Sequence, residues 1–399
     1  MLVRRYEEPN GIREHKGVDA DNLSPLQVQE ISIDYTNCNT TAPRQDSTNF
    51  DPTAENQLES IPSSRVSSTF KSNADPAAMW GWGRENYTFE SGVSLETNVC
   101  ILSFTIPEAI KPPILFYYRL TNFYQNHRRY VKSVDIDQLK GDVRSASDLS
   151  SGDCSPLDND PETGLPYYPC GLIANSMFND TFSNLTLANP AGGSDSASGQ
   201  NYTMTVEGTS WSHEGDLYGK TKYKPEDVVP PPNWQQQYPN GRYNGSLPDL
   251  HTWEQFQVWM RTAGLPTFSK LYQRNDNDEL SAGTYRLKIY DRKFLDLLNP
   301  FSFPFFGRQD TNFHVCIGFP VDKYSGTKSI LISTRTVMGG KNPFLGIAYL
   351  VVGGICILLG AVFLATHLIK PRKLGDHTYL TWNNDQPSTA TTTGRQGGA

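Results

Sequence analysis

Between Phe344 and Ile369 the chain carries no Asp, Glu, Lys or Arg. In hydrocarbon every backbone N–H and C=O must be satisfied within the segment, so an apolar run there folds as a helix. About 20 apolar residues cross a hydrocarbon core of roughly 30 Å. The run FLGIAYLVVGGICILLGAVFLATHLI is long enough, and core helices are rarely uncharged over such a length. Residues 343–369 are therefore expected to form a transmembrane helix.

Flanking charge decides the orientation weakly. Lys370, Arg372 and Lys373 follow the run, but Lys323, Lys328, Arg335 and Lys341 precede it. Chemistry confined to one compartment decides it better. Asn-x-Ser/Thr sequons begin at Asn22, Asn39, Asn86, Asn179, Asn184, Asn201 and Asn244, all ahead of the apolar run. Cys38, Cys100, Cys154, Cys170 and Cys316 also precede it, and Cys356 lies inside it. No C-x-x-C or His-paired spacing points to zinc, so cysteines scattered among sequons read as disulfides of an oxidising compartment. Residues 28–342 are thus expected to be a glycosylated lumenal or extracellular ectodomain, and residues 370–399 a cytosolic tail. Residues 1–27 are polar, with no apolar stretch. Delivering a large lumenal domain takes a signal peptide or an earlier membrane helix. The sequence is accordingly expected to lack a hydrophobic N-terminal segment that the working protein has.

The formal charge of −7 argues against nucleic acid as a partner, because duplex binding rests on basic patches. Aromatic residues reach 12%, which supplies the apolar area that disordered chains lack. Strands are predicted within Gln27–Tyr35, Val99–Ile106, Ile114–Leu120, Arg128–Ile136, Thr284–Tyr290 and Ser329–Thr336. The polar stretch Thr40–Asn98 gives few strand signals, and Asp158–Tyr168 and Pro190–Gly199 read as loops. One helix is signalled: Thr252 and Gln255 form a capping box, Trp253, Phe256, Trp259, Met260 and Ala263 share a stripe, and Gly264 with Pro266 ends it. That stripe is core packing. The fold class is mainly β, a β-sandwich-like ectodomain with minor α, plus the C-terminal transmembrane helix.

Catalytic parts are missing. There is no G-x-S-x-G, H-E-x-x-H or phosphate-binding G-x-x-x-x-G-K-[ST]. Asp322–Thr327 (DKYSGT) differs from an aspartyl-phosphate signature by an extra residue and reads as a turn before a strand. Asp158, Asp160 and Glu162, or Asp276, Asp278 and Glu279, could offer paired carboxylates, but both runs sit in turn-like sequence. No cofactor or metal site is expected. His127, Arg128 and Arg129 form a small basic cluster, read as a solvated edge ahead of a phosphate or acidic-partner site. Within the apolar run Gly346, Gly353 and Gly360 recur every seven residues and share one helix face. Small residues let another helix approach closely in lipid, so this face is expected to meet a partner.

Three segments then carry a resemblance: Pro112–Gly141 (PPILFYYRLTNFYQNHRRYVKSVDIDQLKG), Phe256–Tyr272 (FQVWMRTAGLPTFSKLY) and Gly326–Asn383, which begins GTKSILISTRTVMGGKNPFLGIAYLVVGG. They resemble the cell-division-control-protein-50 and ligand-effect-modulator family, the non-catalytic β-subunits of type IV P-type ATPase phospholipid flippases. The resemblance implies an ectodomain held between two membrane helices with both termini cytosolic. It implies a heterodimer with a flippase α-subunit, which carries the ATP chemistry, leaves the endoplasmic reticulum with this subunit's help and moves phospholipid to the cytosolic leaflet. It places such complexes in endoplasmic reticulum, Golgi, endosome and plasma membrane. It also implies disulfides Cys38–Cys100 and Cys154–Cys170; spacing alone permits three connectivities for four cysteines.

Three segments depart from the family. The first membrane helix, expected just before Val28, is absent; Arg292–Gly318 interrupts the pattern and brings the odd Cys316; and Asn73–Gly92 follows it loosely. A retained intron or mis-joined exon is the simplest reading of the first two. A stand-alone receptor or glycan-binding ectodomain is the alternative, with Trp80, Trp82 or Trp234 as stacking surfaces.

Overall fold

The structure is a computed structural model that describes residues 28–44, 57–70, 72, 74–190, 199–291, 319, 321–334 and 343–369. The chain divides into two compact units at the Gly340–Lys341 boundary. The first unit is built on two antiparallel sheets. One has the order β10-β6-β12-β1-β3, formed by Phe268–Asn275, Ile114–Leu120, Lys328–Thr334, Glu30–Asp34 and Val66–Thr69. The other has the order β2-β4-β5-β11-β8-β9, formed by Glu59–Ser60, Met79–Thr88, Ser94–Ile106, Gly283–Asp291, Leu185–Pro190 and Gln200–Tyr202; β7 (Thr181–Phe182) also pairs with β11.

Alternation explains how the sheets share a core. In the first sheet Ile31 and Ile33 stand opposite Ile332 and Ile330, which stand opposite Phe116 and Tyr118. In the second, Cys100, Leu102 and Phe104 face Ile289, Leu287 and Tyr285. All of these side chains belong to one buried cluster, because a side-chain period of two puts each row on the same face. A bulge in β10 between Leu271 and Gln273 shifts the register against β6. It leaves Tyr272 beside the core aromatics, with its ring 4.8 Å from that of Phe182.

Two sequence readings are corrected. Arg128–Ile136 is not a strand: helix α2 (Arg128–Lys132) is followed by α3 (Ile136–Leu139). Tyr130 and Val134 pack against the core while Val131 and Ile136 stay 40% and 60% exposed, a burial spacing that is not the two-residue alternation of a strand. Asp135 then caps α3, accepting from Gln138 N at 2.7 Å. The stretch Thr40–Asn98 holds more β structure than expected, since β4 pairs with β5 over ten residues. Its signal was obscured because Trp80 and Trp82 alternate with Gly81 and Gly83. Trp80 is buried with the Arg65 guanidinium 5.2 Å above its ring, and Trp82 is half-buried beneath Arg44 at 5.4 Å. Neither offers an open stacking face, and Trp234 is buried as well.

The signalled helix exists as Glu254–Met260, here α6, but its capping box does not. Trp253 holds the N-cap position without a side-chain bond, and Thr252 Oγ1 turns back to Asp249 O. The buried Gln257 amide instead closes the entry, donating to Leu250 O at 3.0 Å and His251 O at 2.7 Å. Phe256 and Trp259 are fully buried, as the stripe predicted. The Trp259 indole donates to Ile173 O at 2.7 Å, tying α6 to α5 (Leu172–Asn175). At the other end, Lys270 satisfies carbonyls that a helix terminus leaves open. Its Nζ donates to Val258 O at 2.8 Å and Trp259 O at 3.1 Å, and also to Arg261 O. Burial, then Arg261, pulls its ammonium down to about 7. Lys270→Met should cost about 2 kcal/mol, because those acceptors stay buried without a donor. Urea unfolding of the variant checks this, and a change within error of zero would assign the carbonyls another partner.

Candidate functional site

The described part of the second unit is one long helix, Pro343–Ile369, here α7. At 1.5 Å per residue its 27 residues reach about 40 Å, enough to cross a bilayer. Among the described residues it is the one helix long and apolar enough to do so, and none of its apolar window is buried. Leu350, Ile357, Phe363 and Leu368 are all exposed. A surface like this is stable only in lipid or against another apolar surface. At Gly346, Gly353 and Gly360 an added Cβ meets nothing within 4 Å, so all three lie open. Cys356 is exposed on the same helix as a free thiol.

The described cysteines of the first unit are paired. Cys38–Cys100 joins α1 (Cys38–Thr41), which follows β1, to β5, and so ties one sheet to the other, with Cα atoms 6.0 Å apart. Cys154–Cys170 closes a loop of sequence separation 16 in the loop-rich region beside the sheets. Around it the buried Gln138 amide bridges the backbone, donating to Tyr167 O at 2.9 Å and accepting from Cys170 N at 2.8 Å. Cys316 lies outside the described residues.

The sequon asparagines do not converge. Asn86, Asn184, Asn201 and Asn244 are exposed, whereas Asn39 and Asn179 are half-buried; Asn22 lies outside the described residues. Asn201 lies in β9 and Asn184 directly precedes the neighbouring β8, whose Thr186 stands opposite Asn201 and donates its hydroxyl to Asn201 Oδ1 at 2.8 Å. Asn179 borders a cleft lined by Tyr118, Phe178, Trp234, Trp253 and Tyr272.

The candidate carboxylates are engaged in local structure. Asp158 accepts from Ser150 Oγ at 2.8 Å and Asp160 from Thr163 Oγ1 at 2.6 Å. Asp276 pairs with Arg274 at 2.7 Å, and Asp278 accepts from Asn275 Nδ2 at 3.1 Å. His127, Arg128 and Arg129 are exposed at and just before α2. Asp322, in the near-signature, sits in a single 3-10 turn, Val321–Tyr324, before β12. Among the described residues no three His, Cys, Asp or Glu side chains are grouped to hold a metal. Strong titration effects fall on buried groups instead, among them Asp291 and Lys328, which meet at Asp180 and which the sequence reading did not connect. The one signal was a lysine opening β12, whose residues are nearly all buried.

Comparison with known proteins agrees with this geometry. The chain matches the LEM3 (ligand-effect modulator 3) family / CDC50 family over residues 23–294 and 307–373. The break falls inside Arg292–Gly318, which lies outside the described residues. It is 40% identical over 367 residues to the phospholipid-transporting ATPase accessory subunit CDC50 of Chaetomium thermophilum, covering 90% of this chain and 80% of that one. It is 37% identical to the accessory subunit CRF1 of Saccharomyces cerevisiae, over 92% of this chain and 79% of that one. The human cell cycle control protein 50B is 36% identical, over 67% of this chain and 70% of its own length. A β-rich unit with two disulfides, one exposed apolar helix and a match along nearly the whole chain place this protein in the LEM3/CDC50 family.

Proposed function

We propose that this chain is the non-catalytic accessory subunit of a type IV P-type ATPase that transports phospholipid. The observation that carries this reading is the alignment with named accessory subunits over 90% and 92% of the chain. The α-subunit carries the ATP chemistry; this subunit works by packing. Its β-rich ectodomain, residues 28–342, stands on the lumenal or extracellular side, glycosylated at Asn39, Asn86, Asn179, Asn184, Asn201 and Asn244. Residues 370–399 are cytosolic. Preferential binding to particular transport states is the only way a partner without chemistry shifts a pump's equilibrium. The same binding stabilises the α-subunit for exit from the endoplasmic reticulum.

Co-expression with each candidate α-subunit, followed by detergent co-purification and lipid uptake, tests the reading. A cognate pair should co-purify and support uptake; a chain that brings down no P-type ATPase would refute the assignment. The glycine face has its own test. Gly353→Leu should reduce recovery of the α-subunit about tenfold or more, because a side chain on the close-approach face holds the helices apart. Unchanged recovery would move the contact to another face of α7.

A further inference from the structure

Three charged side chains meet where the two sheets close on one another. Lys328 opens β12 in the first sheet, Asp291 ends β11 in the second, and Asp180 lies just ahead of β7. Lys328 Nζ is 2.8 Å from Asp180 Oδ2 and 3.0 Å from Asp291 Oδ1. The side chains of Lys328, Asp180 and Asp291 are 6%, 0% and 13% exposed. Tyr35, directly after β1, donates its hydroxyl to Asp180 Oδ2 at 2.8 Å.

Charge and hydrogen bonding are both incomplete as they stand. With both acids ionised, the cluster holds two negative charges and one positive charge away from water, which is costly. Asp180 Oδ1 is buried with no hydrogen-bond donor. Asp291 and Asp180 contact the same ammonium from the ends of neighbouring strands, which brings the two carboxyls side by side. Two carboxylates cannot bond to each other, since each is an acceptor only. One proton removes both defects: an Asp291 O–H can donate to Asp180, and the cluster becomes neutral. The other titratable groups facing it are Asp34 at the end of β1, Tyr35, and Tyr324 with Asp322 in the turn before β12. The acids among them disfavour a further negative charge, and Tyr35 is held far above the usual phenol range by burial and Asp180, so it remains a donor.

We propose that Asp180 and Asp291 hold one proton between them, and that this proton relieves the repulsion of two neighbouring acids that Lys328 bridges to the other sheet, tightening the β-rich unit at acidic pH and loosening it as pH rises. Burial raises the Asp291 carboxyl; Lys328 pulls it down and Asp180 raises it further, leaving it at about 7. Burial opposes the Lys328 charge, but Asp180 and Asp291 hold its ammonium above the usual lysine range. The folded carboxyl therefore keeps its proton to higher pH than the unfolded one. Its stabilisation is complete below the ordinary carboxyl value of 3.8 and is lost as pH rises through about 7.

The experiment uses the full chain purified in detergent and compares wild type with Asp291→Asn, whose amide donates permanently to Asp180. Urea unfolding is measured from pH 5 to pH 8. Wild type relative to the variant should show its unfolding constant rise by up to about tenfold per pH unit between pH 5 and 7, the slope of one proton. Titration of Lys270 is common to both proteins and cancels. Parallel pH profiles would overturn the proposal. Should Asp291→Asn fail to accumulate, infrared spectra of the wild type decide the matter, because exposed carboxyls are ionised at pH 6.5. A protonated-carboxyl band that persists there and fades above pH 7 supports the shared proton. Absence of that band overturns it.

Discussion

Lys328→Met is expected to destabilise the β-rich unit by about 3–5 kcal/mol, the range for removing one partner of a buried ion pair. Lys328 is the positive charge between Asp180 and Asp291, at 2.8 and 3.0 Å. Methionine fills a similar volume and adds no cavity, so the loss comes from two acids left facing each other without a cation. The proton now has to do more. Acidification should recover part of the loss by protonating both carboxyls. Urea unfolding at pH 5.5 and 8 makes the comparison. Destabilisation equal at both pH values would mean that Lys328 matters for packing and not for charge.

Cys100→Ser should cost about 4 kcal/mol by the chain-entropy model, given the sequence separation of 62 that the bond closes. The bond does more than close a loop, since it fastens α1 and the first sheet to β5 in the second. Both sheets contribute to the one core, and freeing them exposes it in part. Most natural domains have stability of about 5–15 kcal/mol, so the variant should accumulate poorly or not fold. Secretory-pathway yield and urea unfolding read the effect. Cys154→Ser should lose less, about 3 kcal/mol, because its loop separation is 16. A larger loss at Cys154 than at Cys100 would show that loop entropy is not the governing quantity.

Much of the fold was legible because its signals are local. Ile114, Phe116, Tyr118 and Leu120 recur every second residue and Thr284–Tyr290 alternates polar with apolar, and β6 and β11 occupy almost those bounds. The misreadings have a common cause. Arg128–Ile136 is rich in strand-forming residues yet has no neighbouring strand to pair with, so it folds as two short helices. The Thr252 box has the right spacing, but Gln257 and Asp249 satisfy the backbone first, and the helix starts one residue later, with Trp253 as its N-cap. Propensity proposes an element, and tertiary neighbours decide whether it forms.

The candidate site divides along the same line. Gly346, Gly353 and Gly360 could be placed on one face from helix periodicity alone, and so could the apolar span that holds them. The disulfide pairing came from resemblance, because distance in sequence says nothing of which cysteines approach. By itself the sequence determined that an apolar helix long enough to cross a membrane follows a β-rich unit, since apolar runs and two-residue alternation are written residue by residue. Only the tertiary structure decided that Lys328, Asp180 and Asp291 meet. They lie far apart along the chain, and it is the closing of one sheet on another that strips their water and forces them to share a proton.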